Sequence, residues 1–204
     1  MLKVNKFCEP EFLIHFKKKN SPKSWVDYND GTIKREIKDY ILKNEQNKYC
    51  PYCEKAIYEL NESHIEHIKP RDRFPQLFQE YTNLLASCNG KDSCGNWKEN
   101  NYSEEFINPV IDNPEEYFTF DIASGYIVPK CKSKTDAKYK RAEYTIQILN
   151  LNCYTLTEAR KNLIIILEVY RDNYEDYSQY LQYFLDDGHS FPSLIKYYKE
   201  ELMD

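Results

Sequence analysis

The sequence predicts a mainly helical α+β protein: a small cysteine-bound module set among helices, with one additional β-hairpin. Three observations lead there. Apolar residues recur at helical spacing over much of the chain. Cys50, Cys53, Cys88 and Cys94 fall in two close pairs. Tyr117–Ile122 and Gly125–Val128 alternate around Ala-Ser-Gly, as the strands of a hairpin do.

Residues 11–20 and 32–46 read as helices, the second from Ile33, Ile37, Tyr40 and Ile41, with Asn29-Asp30-Gly31 as the capping turn before it. Ser21-Pro22 breaks the chain between them. Residues 49–101 form the cysteine module, with two short strands and a closing helix. Asn108-Pro109 and Asn113-Pro114 mark a linker to the hairpin. Helices are expected at 135–149, 157–184 and 190–202, with Pro192 in a first turn and Gly188 at the break before it. The division is thus 1–48, an N-terminal helical segment; 49–101, the metal-bound module; and 102–204, a hairpin plus helices suited to partner binding.

At 204 residues, 41% hydrophobic and 30% charged, the composition is that of a soluble globular protein. The longest apolar run, Leu163–Leu167, is far below membrane-spanning length, and Met1–Cys8 shows no secretory signal. A cytoplasmic location is expected, where seven cysteines point to metal or free thiols before disulfides. The net charge of -5 speaks against a generic DNA coat. Residues 1–48 carry 11 Lys and Arg against 7 Asp and Glu, whereas residues 102–204 carry 11 against 18. Only Lys17-Lys18-Lys19 with Lys23, and the stretch Lys130 to Arg141, form basic clusters, and each reads equally well as solvated surface. Such a chain is expected to borrow binding surface from a partner. The tyrosines suit core and interface packing better than base stacking.

The chemistry lies between the cysteine pairs. Cys50-Pro-Tyr-Cys53 has knuckle spacing, and Cys88 and Cys94 complete a four-thiolate set for structural Zn2+. Cys8, Cys131 and Cys153 lack partners at ligand spacing and read as buried small residues. Within the zinc loop stands Ile65-Glu66-His67-Ile68. His67, with an ordinary pKa near neutrality, suits a general base for phosphodiester hydrolysis. Glu66 and a downstream side-chain oxygen suit a hard divalent ion. Strand alternation would put Glu66 and His67 on opposite faces unless a bulge or twist turns both to one groove. Arg71 and Arg73 read either as phosphate clamps or as surface charge. His64 reads as a neighbouring group of the site or, more simply, as solvent-exposed and idle.

These motifs, with Asn83-Leu-Leu-Ala-Ser-Cys88 and Cys94-Gly-Asn96-Trp-Lys98, resemble HNH endonucleases of the ββα-metal fold, and more narrowly the PtuB-type HNH proteins of Septu and retron anti-phage systems. The resemblance covers roughly residues 48–101. It implies a zinc-stabilised ββα-metal core with His67 as general base and Glu66 as metal ligand. It further implies Asn83 as the brace of the loop between strands, Asn96 as a second ligand of catalytic Mg2+ or Mn2+, and Lys98 as a phosphate contact. The five-residue gap between Cys88 and Cys94 departs from the commonest spacing in the family and bears on the register of Asn96. A nucleic acid substrate (DNA before RNA), a PtuA-type ATPase partner and a hetero-oligomeric complex are implied too, with no membrane. The competing reading is a zinc-stabilised non-catalytic module that binds nucleic acid or protein. A nuclease acting alone is the weaker third, because the acidic C-terminal half is no basic specificity domain.

Overall fold

A computed structural model describes residues 1–29, 31–173 and 176–201. The first helix, α1 (Glu11–Asn20), stops where Ser21 turns left-handed at φ 45° and donates its N–H to the Lys17 carbonyl. The second, α2 (Ile33–Asn44), buries Ile33, Ile37, Ile41 and Leu42 on one stripe. Gly31 precedes it at φ +83°, a conformation that favours glycine. Asp30, the middle of the expected capping turn, lies outside the described residues.

The module follows as β1 (Ser63–His67), β2 (Leu84–Cys88) and the short α3 (Cys94–Lys98). The two strands are antiparallel in unbroken register, from Ser63 opposite Cys88 to His67 opposite Leu84. Beyond β2, the side-chain amide of Gln46 stands in for a third strand. It accepts from the Ala86 N–H at 2.9 Å and donates to the Ala86 carbonyl at 2.8 Å. Every residue of β2 is buried, so its backbone groups need those partners.

The second hairpin pairs β3 (Phe118–Asp121) with β4 (Tyr126–Pro129), turning at Gly125, φ +70°. Helices α4 (Ala137–Ile148), α5 (Tyr154–Asn173), α6 (Tyr177–Asp186) and α7 (Pro192–Glu201) complete the described chain. One difference from the sequence reading stands out. The expected single helix over 157–184 is two, and it begins at Tyr154. The apolar surface of α5 is met by the chain folding back, so that Tyr170 touches the rings of Tyr180 and Phe184 at 5.1 and 5.5 Å. Tyr174, Glu175 and Leu202, which the expected helices include, lie outside the described residues. The fold is mainly helical α+β with two small antiparallel hairpins. None of the described helices is long and apolar enough to cross a membrane.

One cluster of buried side chains draws on all three segments of the chain, from Leu13 and Ile37 through Leu84 and Leu85 to Leu167 and Tyr198. Backbone bonds cross the same borders: Leu2 to Pro51, Val4 to Pro109 and Phe191 to Glu54. Because Ile37 is fully buried, Ile37→Ala should cost about 2–5 kcal/mol in urea unfolding of the zinc-loaded protein. Ile165→Ala, at a position 61% exposed on α5, should stay within about 0.5 kcal/mol. Equal losses at the two positions would contradict this core.

Candidate active site

The thiol groups of Cys50, Cys53, Cys88 and Cys94 all lie within 4.8 Å of one another. Cys50 and Cys94 sulfurs are 3.8 Å apart, and those of Cys53 and Cys88 3.7 Å. Such spacing matches tetrahedral thiolate ligation, and imidazole or carboxylate is absent from the set, so the donors fit zinc. Burial opposes charge on Cys50, but hydrogen bonds from Cys53, Cys88 and Cys94 outweigh it and hold that thiol well below its usual value. The shared sulfur contacts and burial push the Cys53 and Cys94 thiols up instead, so without a cation the cage favours one thiolate among protonated neighbours, whereas a bound cation would stabilise the full thiolate set. Of the three remaining cysteines, Cys153 is buried as its sequence reading expects, whereas Cys8 is exposed and Cys131 half-buried. Both lie in irregular segments at the surface rather than on a packed face.

The loop from Cys88 to Cys94 is held from outside the module. The Cys94 N–H donates to the Leu149 carbonyl at 2.8 Å, and Asn150 Nδ2 donates to the Asp92 carbonyl at 2.8 Å. On the other pair, buried Glu54 follows Cys53 at φ 68°, accepts the Met1 ammonium at 2.5 Å and the Ser193 N–H at 2.8 Å.

Strand β1 carries the candidate catalytic residues. No bulge interrupts it, and Glu66 and His67 do face different neighbours. The His67 ring meets the edge of Trp25 at 4.7 Å, and its Nε2 lies 2.9 Å from the Phe78 carbonyl. A carbonyl only accepts, so Nε2 carries the proton and Nδ1 keeps a lone pair. Burial, with Arg71 and Lys98 nearby, pushes the imidazole down to about 4, so it is neutral at physiological pH. Glu66 turns to α3 instead. Its Oε1 is 2.9 Å from Lys98 Nζ, a lysine with no exposed side-chain surface. Lys98, implied as a phosphate contact, is thus buried and turned to Glu66.

Asn83 bridges the loop between the strands. Its Oδ1 accepts from the Lys69 N–H at 2.8 Å, and its Nδ2 donates to the carbonyls of Lys69 and Leu77 at 3.1 and 3.3 Å. Asn96 is exposed on α3, without a hydrogen bond to its side chain among the described residues. Besides Lys98, Gly95 of α3 lies against Glu66: a Cβ there would stand 2.8 Å from Glu66 Oε2. Arg73 donates to the Tyr102 carbonyl at 2.5 Å, while the Arg71 guanidinium sits 5.8 Å from the Trp25 ring.

Sequence reading missed the cations that gather here. A cavity of about 620 Å³ beside β1 is lined by Trp25, Lys34, Arg35, Lys38 and His64 among others. Burial and Arg71 lower the Lys34 pKa, and burial and Arg35 lower that of Lys38, as expected of crowded like charges. In sequence these lysines are only the polar face of an amphipathic helix. The basic clusters singled out there are partly spent in ion pairs, Lys17 with Glu9, Lys138 with Glu116 and Arg141 with Asp112.

No protein-family model matches the chain. An Escherichia coli protein named as the HNH endonuclease of retron Ec83 is 29% identical over 205 aligned residues, 80% of this chain and 79% of that protein. The Septu protein PtuB of Bacillus thuringiensis is 30% identical over 156 residues, 69% of this chain. The chain is similar in sequence to both proteins. The match spans 55% of PtuB, about half of its length.

The cage yields a direct test. Purified protein should contain a single zinc per chain, and Cys53→Ser should leave it insoluble or unfolded, since such sites supply on the order of 10 kcal/mol in small peptides. Soluble, folded protein that metal analysis finds free of zinc would contradict this assignment.

Proposed function

We propose that the chain is a metal-dependent HNH endonuclease that hydrolyses phosphodiester bonds of nucleic acid as the effector of an anti-phage complex with an ATPase. The single observation that carries the reading is His67. It is a buried, neutral imidazole whose Nε2–H is fixed on the Phe78 carbonyl, leaving Nδ1 as a base on the strand that also carries Glu66. The names of the two relatives support the same class.

In this reading His67 Nδ1 takes the proton of a water as its oxygen attacks phosphorus. The leaving oxygen departs from phosphorus and gains a proton from solvent. Glu66 and Asn96 would hold Mg2+ or Mn2+, which supplies charge stabilisation at the scissile phosphate. Lys98 neutralises and orients the Glu66 carboxylate from within the fold. Asn83 keeps the loop after β1, and with it His67, at a fixed distance from β2. Lys34, Arg35, Lys38 and Arg71 would carry the phosphate backbone past Trp25. Zinc plays no chemical part; it holds the strands to α3.

His67→Ala should lower cleavage by about 10² to 10⁴ with zinc content unchanged, measured with Mn2+ or Mg2+ and the partner present. Undiminished cleavage would remove His67 from the mechanism.

The partner would dock on the C-terminal helices. There α5 buries Leu163, Ile164 and Leu167 but leaves Ile165 61% and Val169 53% exposed. The double variant Ile165→Asp, Val169→Asp should therefore lose co-purification with a co-expressed PtuA-type ATPase while keeping its zinc. Retention of the complex would move the docking surface elsewhere.

A further inference from the structure

His64 and Glu66 stand two residues apart on β1, so their side chains share a face. The orientation of His64 follows from a chain of hydrogen bonds. Asn89 Nδ2 donates to the Asn61 carbonyl at 2.7 Å, which turns its Oδ1 to His64 Nδ1 at 3.0 Å. That oxygen only accepts, so Nδ1 carries the proton and, in the neutral ring, His64 Nε2 keeps the lone pair. Burial opposes charge on the ring, but Glu66 and Asn89 outweigh it and raise the pKa, so a cation at Nε2 would take the place of a proton. Nε2 in turn lies 3.9 Å from Glu66 Oε2, whose partner oxygen is fixed by Lys98.

Nothing from α3 comes between them, because the residue facing this pair is Gly95. A Cβ there would stand 2.7 Å from His64 Nε2 and 2.8 Å from Glu66 Oε2. Any other residue type would push into both ligand atoms. The space is open only while position 95 has no side chain.

We propose that His64 Nε2 and Glu66 Oε2 together ligate the divalent ion of this site, that Gly95 keeps their common space open, and that the imidazole tilts the site toward Mn2+ over Mg2+. The catalytic purpose of the ion rests on the nuclease reading above; its binding does not. Ligand distances of about 2.0–2.2 Å let one ion touch two atoms at this separation. Mg2+ is held best by oxygen alone, whereas a nitrogen donor favours first-row transition ions.

The test uses the full zinc-loaded chain and Mn2+ itself, followed by loss of the free-ion electron paramagnetic resonance signal, with Mg2+ as competitor. His64→Ala and His64→Gln should each weaken Mn2+ binding by at least the about tenfold that loss of a metal site's outer partner brings. Competing Mg2+ should lose less, and the ratio of Mn2+- to Mg2+-supported cleavage should fall. Gly95→Ala should weaken Mn2+ likewise with zinc content unchanged. Mn2+ affinity equal in wild type and both His64 variants would overturn the proposal, even if His67→Ala abolishes cleavage and the nuclease reading stands. Mn2+ binding lost in the His64 variants, in a protein that cleaves no nucleic acid, would uphold the metal site and remove the nuclease reading.

Discussion

Four sulfurs within 4.8 Å of one another hold the strand pair to the short helix, and the candidate site is built on that junction. Cys88 ends β2 and Cys94 begins α3, while Cys50 and Cys53 bring in the turn after α2. At this junction α3 lies close enough to β1 for Gly95 to meet His64 and Glu66, and for Lys98 to reach Glu66; a cation among the sulfurs would hold it there. Without one, several buried thiols would have to share protons in a small space, an arrangement with little to stabilise it. Metal ligation by these thiols would thus fix the placement of Glu66 as well.

The segments on either side are more than spacers. Gln46 closes the free edge of β2, Leu149 accepts from Cys94, and Ser193 donates to Glu54 next to Cys53. Buried Arg160 binds the carbonyls of Gly125 and Leu151 at 2.6 and 2.7 Å, tying the second hairpin to the connection that braces the cysteine loop. The longer gap between Cys88 and Cys94 is accommodated in this way: Asp92 in that loop is pinned by Asn150 and Thr155. The acidic, helical half of the chain supports the cage, and the outward side of α5 is left for other contacts.

Much of the fold was legible because its signals are local. Ile33, Ile37 and Ile41 mark α2 by spacing, and the Ala-Ser-Gly turn marks the second hairpin. The break between α5 and α6 was not legible, since the period of apolar residues continues across it and the fold-back is decided by tertiary contact of Tyr170 with Phe184. The four cysteines could be grouped from spacing, and the structure does bring them together. The cations of α2 were invisible as a group, because only packing against β1 turns a polar helix face into the lining of a cavity. His64 was equally opaque: an idle exposed histidine and one locked on Asn89 look alike in sequence. The register of α3 was not legible either: Gly95 and Lys98 are the helix residues set against Glu66, with Asn96 exposed between them.

The central claim, that the cage positions β1, is tested most directly by amide hydrogen exchange at Ile65–Ile68 with zinc bound and after its removal by a chelator. The account predicts strong protection of these amides in the zinc form and its loss, together with that of Leu84–Cys88, once zinc is gone. Protection that persists unchanged in the zinc-free protein would show that the strands and α3 are held by packing alone, and would contradict it.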